Sequence, residues 1–177
     1  MTDTTPTADD RIAALEARLG ALEAKEAIIA LKHRYLRACD AKDAEGFRSA
    51  FIDRGAVIDY GPLGRFDDAD GIAAVFNHIA LERDEFDGAQ THVVLDMHHG
   101  LHPDITLTGP GRATGNWTLR FRQVDRRAGT EQVSAIEYRD EYVIEHGQWK
   151  MSACASAVLW TIRRPLAEGT TFEGDLI

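Results

Sequence analysis

The sequence predicts an α+β domain, with helices first and a curved antiparallel sheet after them, on three observations. Apolar residues recur at three- and four-residue steps as far as Leu81, the period falls to two from Gln90 onward, and glycine-bearing turns separate the alternating stretches. The 177 residues fit one domain able to bury its own core. Met1 to Ala8 is polar and Thr-rich and is expected to be disordered, residues 9–165 form the domain with a helical extension at its start, and 166–177 form a tail with no clear period.

Ile12, Leu15, Leu19, Leu22 and Ile29 mark an amphipathic helix built from strong helix formers. After Lys25 the stripe shifts to Ile28, Leu31, Tyr35, Ala38 and Cys39, which reads as a bend or a change of packing partner. The leading part can pack on another subunit or fold back on its own domain. Phe47, Phe51 and Ile52 suggest a short second helix, and Ala56–Tyr60 a strand closed by Gly61-Pro62. Asp70 is the expected N-cap of a third helix carrying Ile72, Val75, Phe76, Ile79 and Leu81. Four strands follow near 90–101, 113–124, 132–144 and 148–160, with turns at Gly109-Pro110-Gly111, Arg127–Thr130 and Glu145-His146-Gly147. His102-Pro103 is expected to break the first of them, with Ile105-Thr106-Leu107 as a continuation. A curved sheet wrapped on helices has a concave face, the natural place for a small-molecule pocket.

Composition narrows the function. Apolar residues make up 44% and charged residues 28%, which is globular, and the net charge of −9 repels nucleic-acid phosphates and anionic membranes. Cys39 and Cys154 sit inside apolar patterns, so neither a disulfide framework nor a cysteine zinc site is expected. No apolar run is long enough for a membrane span and no signal peptide is visible, so the expectation is a soluble cytoplasmic protein.

No P-loop, post-strand GxGxxG, GxSxG or HExxH is present. What stands out is Thr91–His102, which holds four of the seven histidines. In one regular strand His92, Val94, Asp96 and His98 share a face. Such imidazoles beside a carboxylate can transfer protons or ligate a divalent metal, and they can equally be a solvated face at a sheet edge. Asp40 lies where an apolar helical stripe runs out. At a helix C-terminus the dipole disfavours a carboxylate, but inside a cavity an Asp–His pair is a workable general base. Tyr35, Tyr60 and Trp117 offer phenolic hydrogen bonds and aromatic walls for a flat ligand, although aromatics more often belong to a core.

The order of a helix, Asp40-Ala41-Lys42-Asp43, Val57-Ile58-Asp59-Tyr60, a helix at Gly71, Gln90-Thr91-His92 and Gly115-Asn116-Trp117 resembles the SnoaL-like branch of the nuclear transport factor 2-like superfamily, over about residues 20–162. In detail it is similar to the scytalone dehydratase, bile acid 7α-dehydratase and lindane dehydrochlorinase groups. The resemblance implies a cone-shaped α+β barrel whose pocket uses an Asp–His pair for proton abstraction and elimination, with no metal or organic cofactor. It matches Asp40 to the acidic partner, Tyr60 to a water-orienting phenol, and Tyr35 to a phenol five residues before the Asp. His92, in its Gln-Thr-His setting, is the preferred base, with His98 before His102-Pro103 as the alternative. Trp117 falls where scytalone dehydratase has a second pocket His, and the late Arg of the dehydrochlorinases has no match.

The implied activity is a cofactor-independent dehydratase acting on a hydrophobic, hydroxylated, ring-bearing molecule of polyketide or steroid-like type. The leaving hydroxyl would take its proton from a water or phenol held by Tyr35 or Tyr60. Isomerisation or cyclisation by the same pair, a metal-dependent reaction at the clustered histidines, and a non-catalytic binding or assembly module stay open, because fold alone does not fix function. The resemblance and the heptad-like first helix together imply a homo-oligomer, a trimer or dimer.

Overall fold

The computed structural model describes residues 6–174. Thr7 opens the first helix, α1 (Ala8–Asp40), with a capping box: its hydroxyl accepts the Asp10 N–H at 3.2 Å and the Asp10 carboxylate accepts the Thr7 N–H at 2.9 Å. The expectation of disorder over Met1–Ala8 therefore does not hold at Thr7 and Ala8, and the first five residues lie outside the described ones. α1 runs as one helix across the shift in its apolar stripe, so the shift marks a change of packing partner. Its second half buries Ile28, Leu31, Tyr35, Leu36 and Cys39, whereas Ile12, Leu15, Leu19 and Leu22 remain more than half exposed.

Asp43 caps the short helix α2 (Ala44–Ser49) by accepting the Gly46 N–H at 2.9 Å. Strand β1 (Val57–Asp59), a 3-10 turn at Gly61–Leu63 and strand β2 (Arg65–Phe66) lead into helix α3 (Ala69–Ile79). Its N-cap is Asp68, not Asp70: the Asp68 carboxylate accepts the Asp70 N–H at 3.0 Å. A hairpin absent from the sequence reading comes next, β3 (Arg83–Phe86) and β4 (Ala89–His92), turned by Asp87 and Gly88 at φ 53° and 80°. Four long strands complete the chain: β5 (Val94–Gly109), β6 (Arg112–Asp125), β7 (Thr130–Glu145) and β8 (Gln148–Pro165). His102-Pro103 does not end β5. The strand absorbs it as a bulge between Leu101 and Asp104, with His102 at φ 52°.

The α+β class and the curved, mostly antiparallel sheet are as the sequence predicts. The main sheet has the order β2-β1-β8-β7-β6-β5, parallel at β1–β8 and antiparallel elsewhere, and remains open at β2 and β5. α1 lies across its concave face, which gathers Tyr35, Leu36, Phe47, Phe51, Ile58, Leu119, Tyr142 and Met151 into one core. Gly115 lets the layers approach, because a Cβ there would meet Ile105 at 2.8 Å and the Tyr142 ring at 2.9 Å.

The core also encloses a charge pair. Lys32 Nζ lies 2.8 Å from Asp140 Oδ2 with both side chains fully buried, and 3.8 Å from the centre of the Tyr138 ring. Burial by itself would depress the Lys32 pKa, but the Asp140 carboxylate outweighs it and the pKa lies above its ordinary value. Tyr142 OH donates to Asp140 Oδ2 at 2.7 Å, and Trp117 Nε1 donates to Tyr142 OH at 3.0 Å. Removing one ion strands the other in a medium that cannot solvate it. Lys32→Met should therefore lower the unfolding free energy by about 3–5 kcal/mol. Lys32→Met with Asp140→Leu should recover part of that loss, as urea denaturation of the single and double variants will show.

Candidate active site

Asp40, the last residue of α1, meets His98 of β5 through both the backbone and the ring of that histidine. Asp40 Oδ1 lies 2.6 Å from His98 Nδ1, and the two carboxylate oxygens accept the His98 backbone N–H at 3.0 and 3.2 Å. These N–H groups offset the unfavourable position of a carboxylate at a helix C-terminus. With Nδ1 engaged, Nε2 is the nitrogen left for a ligand. Strand register places His98 directly opposite Phe121 on β6, and the two rings pack with centroids 4.6 Å apart. His98 thus has its orientation fixed on two sides.

His98 lines a hollow of about 150 Å³. Ile72, Val75, Phe76 and Ile79 of α3 form an apolar wall, and Phe76 stacks on Phe47 at 4.5 Å. Tyr35, Tyr60 and Tyr138 contribute phenols to the same hollow. Tyr35 and Tyr60 share a hydrogen bond of 2.6 Å between hydroxyls, and Tyr60 OH donates to Cys154 Sγ at 3.4 Å. Burial pushes the pKa of all three phenols well above the ordinary tyrosine value, so they stay protonated and act as donors. Burial, with the Asp40 charge in support, raises the Cys39 thiol to about 12, which removes it as a nucleophile near neutral pH.

Two residues that the sequence reading did not assign to the site stand beside the pair. Lys42, at φ 59° and almost wholly buried, makes an ion pair with Asp96, whose other oxygen accepts Gln123 Nε2 at 2.9 Å. Asp96 lines the hollow two residues before His98. The i, i+2 spacing in the sequence did place Asp96 and His98 on one face, but nothing in it pointed to Lys42 as the partner.

The structure brings together Asp40, His98, Tyr35 and Tyr60, and it leaves out His92 and Trp117. His92 ends β4, in a different sheet from β5. Val93 is the switch residue: its N–H donates to Glu82 O at 3.0 Å, and its carbonyl accepts the Arg126 N–H at 2.9 Å. The preference for His92 rests on the resemblance of its Gln-Thr-His setting, whereas the break at Val93 places His92 in the β3–β4 hairpin and leaves His98 as the histidine that lines the hollow. The His92 ring is buried and accepts from Arg83 Nη2 at 3.3 Å. Trp117 lies in the core, tied to Tyr142, and does not line the hollow. As for metal, the three-residue grouping found among the described residues is Asp53, Glu145 and His146, at the surface. Their polar atoms already serve one another: His146 Nε2 lies 3.2 Å from Asp53 Oδ2, and Glu145 accepts the Asp53 N–H at 2.9 Å.

An open α+β cone with an imidazole–carboxylate pair at an apolar hollow defines a structural class. Within that class, the chain belongs to the SnoaL-like domain family, whose model matches residues 20–155, in the nuclear transport factor 2-like superfamily. Solved structures agree on the fold. A hexachlorocyclohexane dehydrochlorinase (LinA) of type 2 is 19% identical, with 90% of this chain and 99% of that chain covered and a TM-score of 0.72. A putative scytalone dehydratase from Novosphingobium aromaticivorans is 17% identical, with 86% and 97% covered and a TM-score of 0.68. ActVI-ORFA from Streptomyces coelicolor is 16% identical, with 78% and 98% covered and a TM-score of 0.60.

The His92 environment carries a consequence for stability. Burial first, then the charges of Arg83 and Lys42, lower its pKa below the ordinary histidine value. The unfolded chain therefore holds more protons than the folded one as pH falls through about 6.5, and stability drops with it. Unfolding free energies at pH 7.5 and 5.5 should show a smaller acid loss for His92→Gln than for the unaltered chain.

Proposed function

We propose that this chain is a lyase that dehydrates a hydrophobic, hydroxylated, ring-bearing small molecule, with His98 as general base and Asp40 as its electrostatic support. The observation that carries this reading is the 2.6 Å contact between Asp40 and His98 Nδ1 at the edge of an apolar hollow. The pairing fixes the tautomer in which Nε2 is free to accept a proton, and the carboxylate stabilises the imidazolium that results. Two structural neighbours are a hexachlorocyclohexane dehydrochlorinase and a putative scytalone dehydratase, and both names describe eliminations. They support the reaction class here.

In the proposed step Nε2 takes a proton from the carbon next to a carbonyl. The C–H electron pair becomes the new double bond as the adjacent C–O bond breaks, and the departing hydroxyl leaves as water. Tyr35 and Tyr60 serve the departing oxygen. Tyr60 donates to a thiol sulfur, a weak acceptor, so its hydrogen is easily redirected to an oxygen that is gaining charge. The imidazolium proton completes the water and restores the neutral base. A hollow of about 150 Å³ suits a single six-membered ring. A larger polyketide or steroid-like substrate would extend past the mouth. Among the described residues, no helix is long and apolar enough to cross a membrane.

Asp40→Asn and His98→Gln should each lower kcat/KM by about 10²–10⁴-fold, the usual worth of general acid–base assistance, with the fold intact. His92→Ala should retain most of the turnover. The assay follows loss of water by mass across a panel of monocyclic β-hydroxy ketones. Equal turnover by all three variants would remove the mechanism, and a mass-neutral product would reassign the pair to isomerisation.

A further inference from the structure

The first half of α1 is turned the wrong way round for a helix that serves only its own domain. Ala17, Gly20, Ala21, Glu23 and Ala24 line an open cavity of about 500 Å³ whose other wall is the end of the sheet, at Leu107, Gly109–Gly111, Ile144 and Trp149. At 100° per residue the large aliphatics Ile12, Leu15, Leu19 and Leu22 lie on the opposite side, with exposures of 54%, 60%, 56% and 66%. The amphipathic rule is inverted: small residues lie on the side toward the body and the greasy stripe faces away from it.

That stripe follows heptad spacing, with Ile12 and Leu19 at a positions and Leu15 and Leu22 at d. Its flanks are sorted by charge. Arg11, Arg18 and Lys25 fall at g, while Glu16 and Glu23 fall at e. We infer that this seam is an interface with a second copy of the same chain, joined as a parallel two-stranded coiled coil. In a parallel pair each g position meets the next e position of the partner, so Arg11 faces the Glu16 position and Arg18 the Glu23 position across the seam, twice over by symmetry. An antiparallel pair would set g against g and e against e, putting like charges together. Ile12 at a with Leu at d also favours two strands. The body lies behind each helix, so the two seams can meet without a clash. Two heptads are short for an isolated coiled coil. Here the helix is already held by the capping box at Thr7 and by the buried half beyond Ile28, so the ordering cost is met before association.

The inference is independent of the catalytic reading, and its test needs no substrate. Cys39 and Cys154 are buried, so Leu22→Cys introduces the accessible thiol. On mild oxidation of the full chain, Leu22→Cys is expected to cross-link to itself as a covalent dimer. Adding Leu15→Glu and Leu19→Glu should slow that cross-link roughly tenfold or more, because charges replace the central a and d side chains. These positions are exposed, so circular dichroism should stay unchanged, and sedimentation of the unaltered chain should give an associated mass. A monomeric unaltered chain overturns the interface, as does cross-linking that is indifferent to the glutamates. A mixture in which Leu22→Cys joins Ile12→Cys in preference to itself overturns the parallel arrangement.

Discussion

The second half of α1 imposes the order on which the pocket depends. It presents Lys32, Tyr35, Cys39 and Asp40 on the side that meets the sheet, at helical steps of three, four and one. Each finds a different kind of partner. Lys32 goes to a buried carboxylate, Tyr35 to a phenol, and Asp40 to the backbone and ring of His98. The Asp40 contact is unusual in using both the main chain and the side chain of one strand residue. It therefore fixes strand register as well as ring orientation. A slip of β5 by one residue would turn His98 to the convex face and break both interactions at once.

The buried charges and the pocket are linked through this same helix. Lys32 lies under the Tyr138 ring and near the Tyr35 ring, so its ammonium contacts two of the aromatic rings that form the hollow. The Asp140 carboxylate favours the charged ammonium and opposes the desolvation that acts against it. The result is a hollow whose phenols are held by fixed charges below and by apolar packing from α3 above. The phenol rings are fixed in place while the Tyr60 hydrogen can turn from its weak sulfur acceptor, so a donor is already positioned where charge develops.

The fold class and the four long strands were legible because they rest on periodicity, whereas the Asp40–Tyr35–Tyr60 grouping rested on the resemblance to a known family. Residue-to-residue pairing across the sheet was less legible. His92 and His98 look equivalent in a period-two reading, and only the chain switch at Val93 separates them. The signal for that switch was present in Asp87-Gly88, a dipeptide that favours two-residue hairpin turns. It lay between segments too polar to read as strands, since Arg83–Phe86 carries three charges in four residues. Trp117 could not be placed from its type alone: an indole fits a pocket wall or a core equally well, and here the choice was settled by the Tyr142 hydroxyl that accepts its N–H. Lys42 escaped notice because a lysine in a helix-end loop is ordinarily solvated, and its burial follows from a left-handed backbone residue that turns it toward Asp96.

The inverted first half of α1 shows how one helix can serve two purposes without conflict. Leu22 and Asp40 are separated by about 27 Å along the axis at the usual rise per residue. They share no side-chain partner, so changes at the seam and at the pocket should be close to additive. The body supplies what a two-heptad seam lacks, a preformed helix, and the seam asks nothing of the residues that organise the hollow. The small-residue face at Ala17, Gly20, Ala21 and Ala24 is what makes the division workable. It puts little apolar volume on the side toward the sheet, and so leaves the large aliphatics for a surface that only another molecule can cover.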